Sequence, residues 1–282
     1  MRLFKEIKSL QNFLQNERKK SSTIGFVPTM GALHQGHISL IKKSMAENPI
    51  SVCSIFVNPS QFNNAEDLAN YPRTIEEDIK KLVESGCPVL FLPHEKELFP
   101  KNEKLLDADF GLFTESFEGK FRPGHFSGMI SVVKKFFDII LPDHSYFGQK
   151  DFQQCMVVKE LIKKYALPVR LHICPIVREP DGLAKSSRNA RLTPEERNTA
   201  VIIPQILFSI KETFHQIPTE DLISSSLRKL TAHSPMVKVD YLEVIDADTF
   251  KPTNRDTKTK AVAMIAAWCG NIRLIDNMIL TD

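Results

Sequence analysis

Two histidines near the N-terminus have a spacing that suits chemistry at a helix start. His34 and His37 are three residues apart, so they share one face of a first helical turn. The apolar stretch 24–27 before them predicts a buried strand, which Pro28 and Gly31 end. A helix that begins just after such a strand has free backbone N–H groups at its N-terminus, and these attract anions. The stretch therefore predicts a site for the triphosphate of a nucleotide.

Each histidine alone also has a simpler explanation. A histidine beside a helix start often caps the helix or faces solvent, and short glycine-containing motifs have weak specificity. Gly36 stands between the two histidines and lets the backbone approach a ligand closely. The pair, with its glycine, directly after an apolar strand favours a functional site.

A second cationic stretch lies far along the chain, at residues 185–188. Lys185 and Arg188 flank Ser186 and Ser187. The planar guanidinium of arginine donates two hydrogen bonds at once to a phosphate group. The stretch is therefore typical of a mobile clamp on the β- and γ-phosphates, and a flexible surface loop is the alternative.

The polar turn 148–151 follows another predicted strand. In it, Lys150 can meet a phosphate group and Asp151 can accept hydrogen bonds from ribose hydroxyls. Asp151 with Gln154 also fits a helix capping box, and the two roles are compatible.

Neutral amides form a third group of candidates, Asn58, Gln61 and Gln154, each near a predicted strand end. Amides can bind a polyhydroxy acid without a tight ion pair that would reduce its nucleophilicity. Surface or capping roles remain the alternative for each. His125, after Arg122, is either a loop anchor or a contact to a small acid.

The order of elements places these candidates at one edge of a sheet. Apolar runs predict strands at 24–27, 50–57, 88–92, 143–147 and 168–174, with helices at 3–18, from His34 to about Glu47, and at 74–85, 127–140 and 151–165. Such alternation predicts an α/β fold, a Rossmann-like parallel sheet with helices on both faces. The loops after residues 27, 57 and 147 then share the edge where α/β folds bind ligands.

Two regions depart from this alternation. Residues 93–123 contain Pro93, Pro100, Gly111, Gly119 and Pro123, which predicts an excursion or lid over the site. After residue 175 the pattern predicts helices at 194–215 and 219–232 and strands at 237–244, 260–268 and 272–280. We therefore expect a nucleotide-binding domain at 1–175 and a smaller C-terminal α+β lid domain at 176–282.

Composition limits the class of protein. The 282 residues are 42% hydrophobic and carry a net charge of +3 without a basic tail, which argues against nucleic acid as a partner. No apolar run approaches the roughly 18 residues that a membrane helix needs. The N-terminus lacks a signal-peptide core, and the five scattered cysteines predict neither a zinc site nor disulfides. We expect a cytoplasmic protein with no membrane partner.

Seven blocks of sequence, in order, carry a resemblance to a known family. They are 27–37, 56–62, 71–74, 122–126, 147–154, 181–189 and 266–277. They resemble the pantothenate synthetase (pantoate–β-alanine ligase) family, which belongs to the nucleotidyltransferases with a His-x-Gly-His signature. The resemblance runs nearly from end to end of the chain.

The resemblance implies an ATP-dependent ligase. Pantoate would attack the α-phosphorus of ATP to give pantoyl adenylate and pyrophosphate, and β-alanine would then give pantothenate and AMP. It implies His34, His37, Lys150 and Arg188 as catalytic residues, with His37 as proton donor or charge stabiliser. ATP would be bound by Met30, Gly31, Ala32, Leu33, His34, Gln35, Gly36, His37, Gly148, Gln149, Lys150, Asp151, Val177, Lys185, Ser186, Ser187 and Arg188. Pantoate and β-alanine would be bound by Gln61, Gln154 and Asn58. The domain at 1–175 would then bind both nucleotide and pantoate. Mg²⁺ would accompany ATP with no evident protein ligand, and a homodimer is implied.

Two positions depart from the family pattern. Gln149 stands where glutamate is expected, and Lys185 stands where leucine or methionine is usual.

One alternative to the ligase is a related enzyme that moves AMP onto a phosphorylated acceptor, without releasing free AMP. Another is an inactive nucleotide-binding or RNA-binding module, against which the mild net charge argues.

Overall fold

The computed structural model describes residues 1–99, 104–107 and 109–281. Its strands are β1 (Arg2–Phe4), β2 (Ile24–Thr29), β3 (Ile50–Ile55), β4 (Val89–Phe91), β5 (His144–Gly148), β6 (Arg170–Cys174), β7 (Val237–Asp246), β8 (Ala261–Cys269) and β9 (Ile272–Ile279). Its α-helices are α1 (Ile7–Arg18), α2 (Gln35–Glu47), α3 (Ala65–Ala69), α4 (Ile75–Glu84), α5 (Glu95–Leu98), α6 (Leu112–Glu115), α7 (Glu118–Phe121), α8 (His125–Ile140), α9 (Phe152–Lys164), α10 (Pro194–Ala200), α11 (Ile202–Thr213) and α12 (Thr219–His233). Short 3₁₀ helices span Pro59–Gln61, Gln149–Asp151 and Ser187–Arg191.

The first six strands form a parallel sheet in the order β1-β4-β3-β2-β5-β6. The chain builds outward from β2 through β3 and β4, then returns to place β5 on the other side of β2. Where the strand order reverses in this way, a crevice opens beyond the carboxyl ends of the central strands. The ends of β2 and β5 therefore mark the ligand-binding edge of the sheet.

Both faces of the sheet are covered by helices. Phe26 belongs to a buried cluster with Leu10 of α1 and Phe136 of α8. Its neighbour Val27 belongs to a separate cluster with Ile41 of α2 and Leu82 of α4. Since successive strand residues point to opposite faces, this alternation explains why the parallel strands are apolar throughout. The predicted helices on both faces are confirmed.

The C-terminal strands form a separate antiparallel sheet, in the order β7-β8-β9. Its core includes residues of α11 and α12, among them Leu207 and Leu230. The other face packs on the larger unit, where Phe250 stacks on Phe152 with ring centroids 6.0 Å apart. The domain boundary near residue 175 separates the two sheets and stays a prediction.

Two predicted helices differ from the structure. Residues Arg2–Phe4 pair with Val89–Phe91 as an edge strand, so the first helix begins only at Ile7. Here the pairing with a distant strand outweighs the local helical spacing. The helix predicted at 194–215 is divided near Val201, since Pro204 lacks the N–H that would continue the bonding pattern and its ring crowds the preceding turn.

The helix starts give mixed outcomes. At Thr193 the predicted start forms a full capping box, in which Thr193 Oγ1 accepts from the N–H of Glu196 and Glu196 Oε2 accepts from the N–H of Thr193. Thr74 and Glu77 also have the sequence spacing of a capping box, but the box does not form, because the Thr74 hydroxyl donates to Asp78. The box predicted at Asp151 is also wrong, since its side chain makes no cap bond.

The predicted excursion at 93–123 contains short helices in its described part, α5, α6 and α7. Pro100, one basis of that prediction, lies outside the described residues. Gln153 of α9 holds the segment by accepting from the N–H of Glu118 and donating to the carbonyls of Phe113 and Ser116. No helix in the described part of the chain is long and apolar enough to cross a membrane.

Candidate active site

A cleft opens at the carboxyl ends of β2 and β5, and most of the predicted residues line it. The predicted residues in its lining are Met30, His34, Gly36, His37, Gln61, Gly148, Lys150, Asp151, Gln154, Val177, Lys185, Ser186, Ser187 and Arg188. Gly31, Ala32, Leu33, Gln35, Gln149 and Asn58 are not in the lining. The structure thus brings together the four predicted catalytic side chains from three distant segments of the chain.

The two histidines face each other at the start of α2, with ring centroids 4.0 Å apart. Nδ1 of His34 accepts from the N–H of Gly36 at 3.1 Å, and Nδ1 of His37 accepts from the N–H of His34 at 3.2 Å. A neutral imidazole that accepts at Nδ1 carries its proton at Nε2. Each ring therefore has an N–H donor at Nε2. The hydrogen bond that the ring accepts at Nδ1 fixes the direction of this donor.

Both imidazoles are neutral at pH 7. Burial, and then the positive charge of Lys150, lowers the pKa of His34 to about 4. Burial, followed by His34 and Lys150, lowers the pKa of His37 well below its ordinary value. The pair can therefore donate hydrogen bonds to an anion, while Lys150 supplies a full positive charge.

The turn before α2 uses its backbone N–H groups internally, and those of His34 and Gly36 at the helix start bond to ring nitrogens, so fewer are free than the sequence predicted. The N–H groups of Ala32 and Leu33 donate to the two oxygens of Asp78, at 2.9 and 2.7 Å. The N–H of Gly31 donates to Thr29 Oγ1. Gly31 has a φ of +82°, and an added Cβ would lie 3.0 Å from Asp78. The turn is thus a rigid support for the histidines, whose side chains line the cleft.

The C-terminal sheet holds the turn that carries Lys150. Asn277 donates from Nδ2 to the carbonyls of Gln149 and Lys150, at 2.8 and 3.0 Å. The Gln149 side chain donates back to Asn277 Oδ1 at 3.0 Å, which directs it away from the cleft. Asp276 beside it forms a buried ion pair with Arg178. Asn277 lies within a block that carries the family resemblance, but its spacing alone gave no signal of this contact.

The predicted phosphate clamp is held by residues that the sequence did not single out. Arg188 donates to Asp67 at 2.8 Å and lies over the Tyr71 ring, 5.9 Å from its centroid. The hydroxyls of Tyr71 and Ser187 are 3.2 Å apart. Lys185 pairs with Glu179 at 2.8 Å, so its ammonium group has an internal partner at the cleft wall.

The amide side of the cleft is built from the segment after β3. Gln61 is buried and donates from Nε2 to Met30 Sδ at 3.0 Å. Asn58 is 1% exposed and donates from Nδ2 to Gln61 Oε1 and to the carbonyl of Gly128. Asn58 therefore positions Gln61 from outside the cleft lining. A contact between Asn58 and a substrate stays a prediction.

His125 both anchors this segment and lines the cleft. Its Nδ1–H donates to the carbonyl of Gln61 at 2.8 Å, and Nε2 lies 3.4 Å from Nη1 of Arg122. Burial, followed by the charge of Arg122, lowers the pKa of His125 to about 3. Because Arg122 can donate to Nε2, the neutral ring links a guanidinium group to the amide side of the cleft.

We expect this neutral histidine to make stability fall in acid. The unfolded chain binds a proton at His125 near pH 6.5 and the folded chain does so only near pH 3, so stability is lost as the pH falls from 6.5 toward 3. Each pKa unit corresponds to about 1.4 kcal/mol. Between pH 6.5 and 4.5, we expect the His125→Asn variant to lose about 1–3 kcal/mol less free energy of unfolding than the unmodified chain.

Urea denaturation at a series of pH values measures this difference. The exposed His215→Ala variant is the control and should follow the unmodified chain. Equal slopes of stability against pH for His125→Asn and the unmodified chain would show that His125 is not held neutral.

Comparison with known proteins gives one consistent family. The family model described as pantoate-beta-alanine ligase matches residues 2–279. A pantothenate synthetase of Porphyromonas gingivalis is 44% identical, with 100% of both chains covered. A pantothenate synthetase of Thermotoga neapolitana is 42% identical, with 99% of this chain and 100% of that protein covered.

Solved structures agree with the sequence relatives. Pantothenate synthetase from Thermus thermophilus superposes with a TM-score of 0.93 at 37% identity, covering 100% of both chains. Pantoate-beta-alanine ligase from Francisella tularensis, complexed with beta-gamma ATP and beta-alanine, has a TM-score of 0.84 at 38% identity, covering 99% of this chain and 98% of that one. The match of the family model and of these relatives over nearly the whole chain shows that the chain belongs to the pantoate–β-alanine ligase family.

Proposed function

We propose that the cleft joins pantoate to β-alanine at the expense of ATP, in two half-reactions. A carboxylate oxygen of pantoate attacks the α-phosphorus of ATP, and pyrophosphate leaves. The amine of β-alanine then attacks the acyl carbon of pantoyl adenylate and loses a proton, and AMP leaves with the bridging oxygen. The observation that carries this proposal is the convergence of two Nε2–H imidazoles, Lys150 and Arg188 opposite neutral amides in one cleft.

The cationic side of the cleft suits the first half-reaction. Negative charge accumulates on the phosphoryl oxygens as pyrophosphate leaves, and fixed donors stabilise it without reorganising. His34 and His37 are fixed donors of this kind because Asp78 and their own backbone bonds hold them. Lys150 adds a full charge near the same point, since it is among the groups that lower the pKa values of both imidazoles.

The amide side suits the acid substrate. Gln61 and Gln154 can donate hydrogen bonds to the hydroxyls and carboxylate of pantoate without forming an ion pair. A carboxylate that stays free of an ion pair keeps its nucleophilicity toward phosphorus. Gly148, Asp151 and Val177 are proposed to bind the adenosine portion, on the other side of Lys150.

Three further features belong to the proposal. ATP is proposed to enter as its Mg²⁺ complex, with phosphate oxygens and water as most of the ligands, because no group of three metal-binding side chains lies in the described part of the cleft. The C-terminal residues 176–282 are proposed to act as the lid domain of a homodimeric enzyme. All five cysteines are free and buried, which supports a location in the reducing cytoplasm.

An omission assay tests the overall reaction. Purified protein with ATP, Mg²⁺, pantoate and β-alanine should form pantothenate, AMP and pyrophosphate in equal amounts. Leaving out β-alanine should still allow one equivalent of pyrophosphate to be released per site. Formation of adenylylated product without free AMP would favour the related adenylyl-transferring enzyme, and tight RNA binding at physiological salt without turnover would favour the binding module.

We expect Asp78→Asn to slow adenylate formation about tenfold to a hundredfold, because a displacement near 1 Å at a reacting group has effects of this size. The amide would place an N–H donor against the N–H groups of Ala32 or Leu33 and shift the turn that carries His34. Rapid-quench measurement of pyrophosphate release checks this prediction. Glu76→Gln, an exposed change on the same helix, is the control, and equal rates in the two variants would contradict it.

We expect Arg188→Ala to weaken ATP use about tenfold to a hundredfold, as the loss of a charged hydrogen bond to phosphate does. Amide formation from preformed pantoyl adenylate should change much less, since the β- and γ-phosphates have already left. Single-turnover assays of the two half-reactions measure both rates. Equal losses in the two half-reactions would contradict the clamp.

A further inference from the structure

A cluster of metal-binding side chains lies at the end of the sheet opposite the cleft. His144 opens β5, whose last residue Gly148 lines the cleft, and Glu47 ends α2, whose first turn carries His37. His172 lies on the edge strand β6, in register with Tyr146. One nitrogen of each histidine and one oxygen of Glu47 all lie within 4.8 Å of one another.

The carboxylate of Glu47 is held in place by a hydrogen bond from Tyr146. The Tyr146 hydroxyl donates to Glu47 Oε2 at 2.7 Å and accepts from Asn48 Nδ2 at 2.8 Å. The arrangement resembles the hydrogen-bonded supports that orient metal ligands in proteins.

The imidazole of His172 has a fixed orientation, with Nδ1 toward Glu47, that suits the binding of a metal ion. Its ring stacks on Tyr146, with centroids 4.6 Å apart, which fixes its orientation. Its Nε2 is buried without a hydrogen-bond partner in the described structure, and its Nδ1 lies 3.6 Å from Glu47 Oε2, beyond hydrogen-bond distance. Because Nδ1 is the nitrogen that faces Glu47, it is the atom that would bind an ion shared with that carboxylate.

The spacing and chemistry of these donors select the metal. Two ligands on a tetrahedral zinc ion lie about 3.4 Å apart, close to the separation between His172 Nδ1 and Glu47 Oε2. Imidazole nitrogen suits Zn²⁺ and its neighbours, while Mg²⁺ and Ca²⁺ prefer a full set of oxygen ligands. Lys43 pairs with Oε1 of Glu47 and Tyr146 donates to Oε2, so an ion would use the remaining lone pair of Oε2.

We propose that Glu47, His144 and His172 form a Zn²⁺ site that joins the end of α2 to β5 and the edge strand β6. Three protein ligands leave the fourth position to water. The site is separate from the nucleotide cleft, so the ion would stabilise the sheet rather than take part in catalysis. No local sequence pattern indicated this site, because its ligands come from three separate segments of the chain.

The test uses the full-length protein, freed of metal with a chelator. Calorimetric titration with ZnCl₂ should give one equivalent of bound Zn²⁺ per chain and a higher melting temperature. Co²⁺ in its place should give the intense visible bands of a tetrahedral ion. We expect His144→Gln and His172→Ala each to weaken Zn²⁺ binding at least about tenfold, and Tyr146→Phe to weaken it about tenfold through loss of support for Glu47.

Two controls assign the binding to this cluster. His215→Ala removes an exposed histidine and should bind Zn²⁺ as the unmodified chain does. His37→Ala removes an imidazole of the cleft and should do the same. The proposal is overturned if the unmodified chain binds no Zn²⁺, if both cluster variants bind it normally, or if binding is lost in His37→Ala instead.

Discussion

Replacing His37 with alanine should reduce the rate of pantoyl adenylate formation by about two to four orders of magnitude, the range for loss of one positioned acid or charge stabiliser. The reason is the Nε2–H donor, which is fixed because Nδ1 accepts from the backbone of His34. Burial keeps the ring neutral, so its contribution is a directed hydrogen bond rather than a charge. Pyrophosphate release in a single turnover measures the effect.

Two amide variants at the same position separate donation from turn geometry. His37→Asn places an amide oxygen near Nδ1, so it keeps the bond from His34 but lacks the distal donor, and it should be as slow as His37→Ala. His37→Gln reaches farther and places an N–H near Nε2, so it should recover part of the rate. A near-normal rate of pyrophosphate release in His37→Asn would contradict a role for the Nε2–H donor.

Replacing Glu118 with alanine should lower the free energy of unfolding by about 3–5 kcal/mol, the usual result of removing one partner from a buried ion pair. Glu118 is 5% exposed and receives two hydrogen bonds from Arg273, at 2.8 and 2.9 Å, and one from Tyr241. Although burial raises the pKa of its carboxyl group, the bonds from Arg273 lower it below the ordinary value overall. Removing the carboxylate takes this counter-charge from Arg122 nearby and leaves Arg273 with Asp240 as its remaining acidic partner.

Urea denaturation at pH 7 measures this loss, and the neighbouring exposed Glu115→Ala is the matched control with little expected change. Hydrogen exchange should also increase in residues 112–124, because Glu118 joins this segment to the C-terminal sheet. Equal stability of Glu118→Ala and Glu115→Ala would mean that the ion pair with Arg273 does not hold the segment.

The parallel sheet could be predicted from the sequence because its strands are apolar on both faces. The predicted runs 24–27 and 50–57 are bounded by turn residues and leave few alternatives to a buried strand. The observed strands, Ile24–Thr29 and Ile50–Ile55, differ from them by two residues at one end, since β2 continues through Pro28. The edge strand at Arg2–Phe4 could not be predicted in this way. Its three residues fit the helical spacing that follows, and only their pairing with Val89–Phe91 makes them a strand.

The site was predictable where local spacing carries the chemistry. The His34–His37 pair and the stretch 185–188 were singled out because residue type and spacing suggest phosphate binding; both line the cleft, and their roles stay predictions. The supports behind them were missed. Asp78 lies 45 residues from Leu33, and Asp67 lies 121 residues from Arg188, so no local pattern connects them. Contacts of this kind depend on the fold and become visible only with it.

The transfer of oxygen from pantoate to AMP tests the adenylate most directly. The attack on the α-phosphorus makes one carboxylate oxygen of pantoate the bridging atom, and amide formation leaves that atom on the phosphate of AMP. With pantoate labelled by ¹⁸O in both carboxylate oxygens, mass spectrometry should find one ¹⁸O in each AMP formed, and one in pantothenate. AMP without label would contradict the adenylate, and with it the role assigned to the cleft.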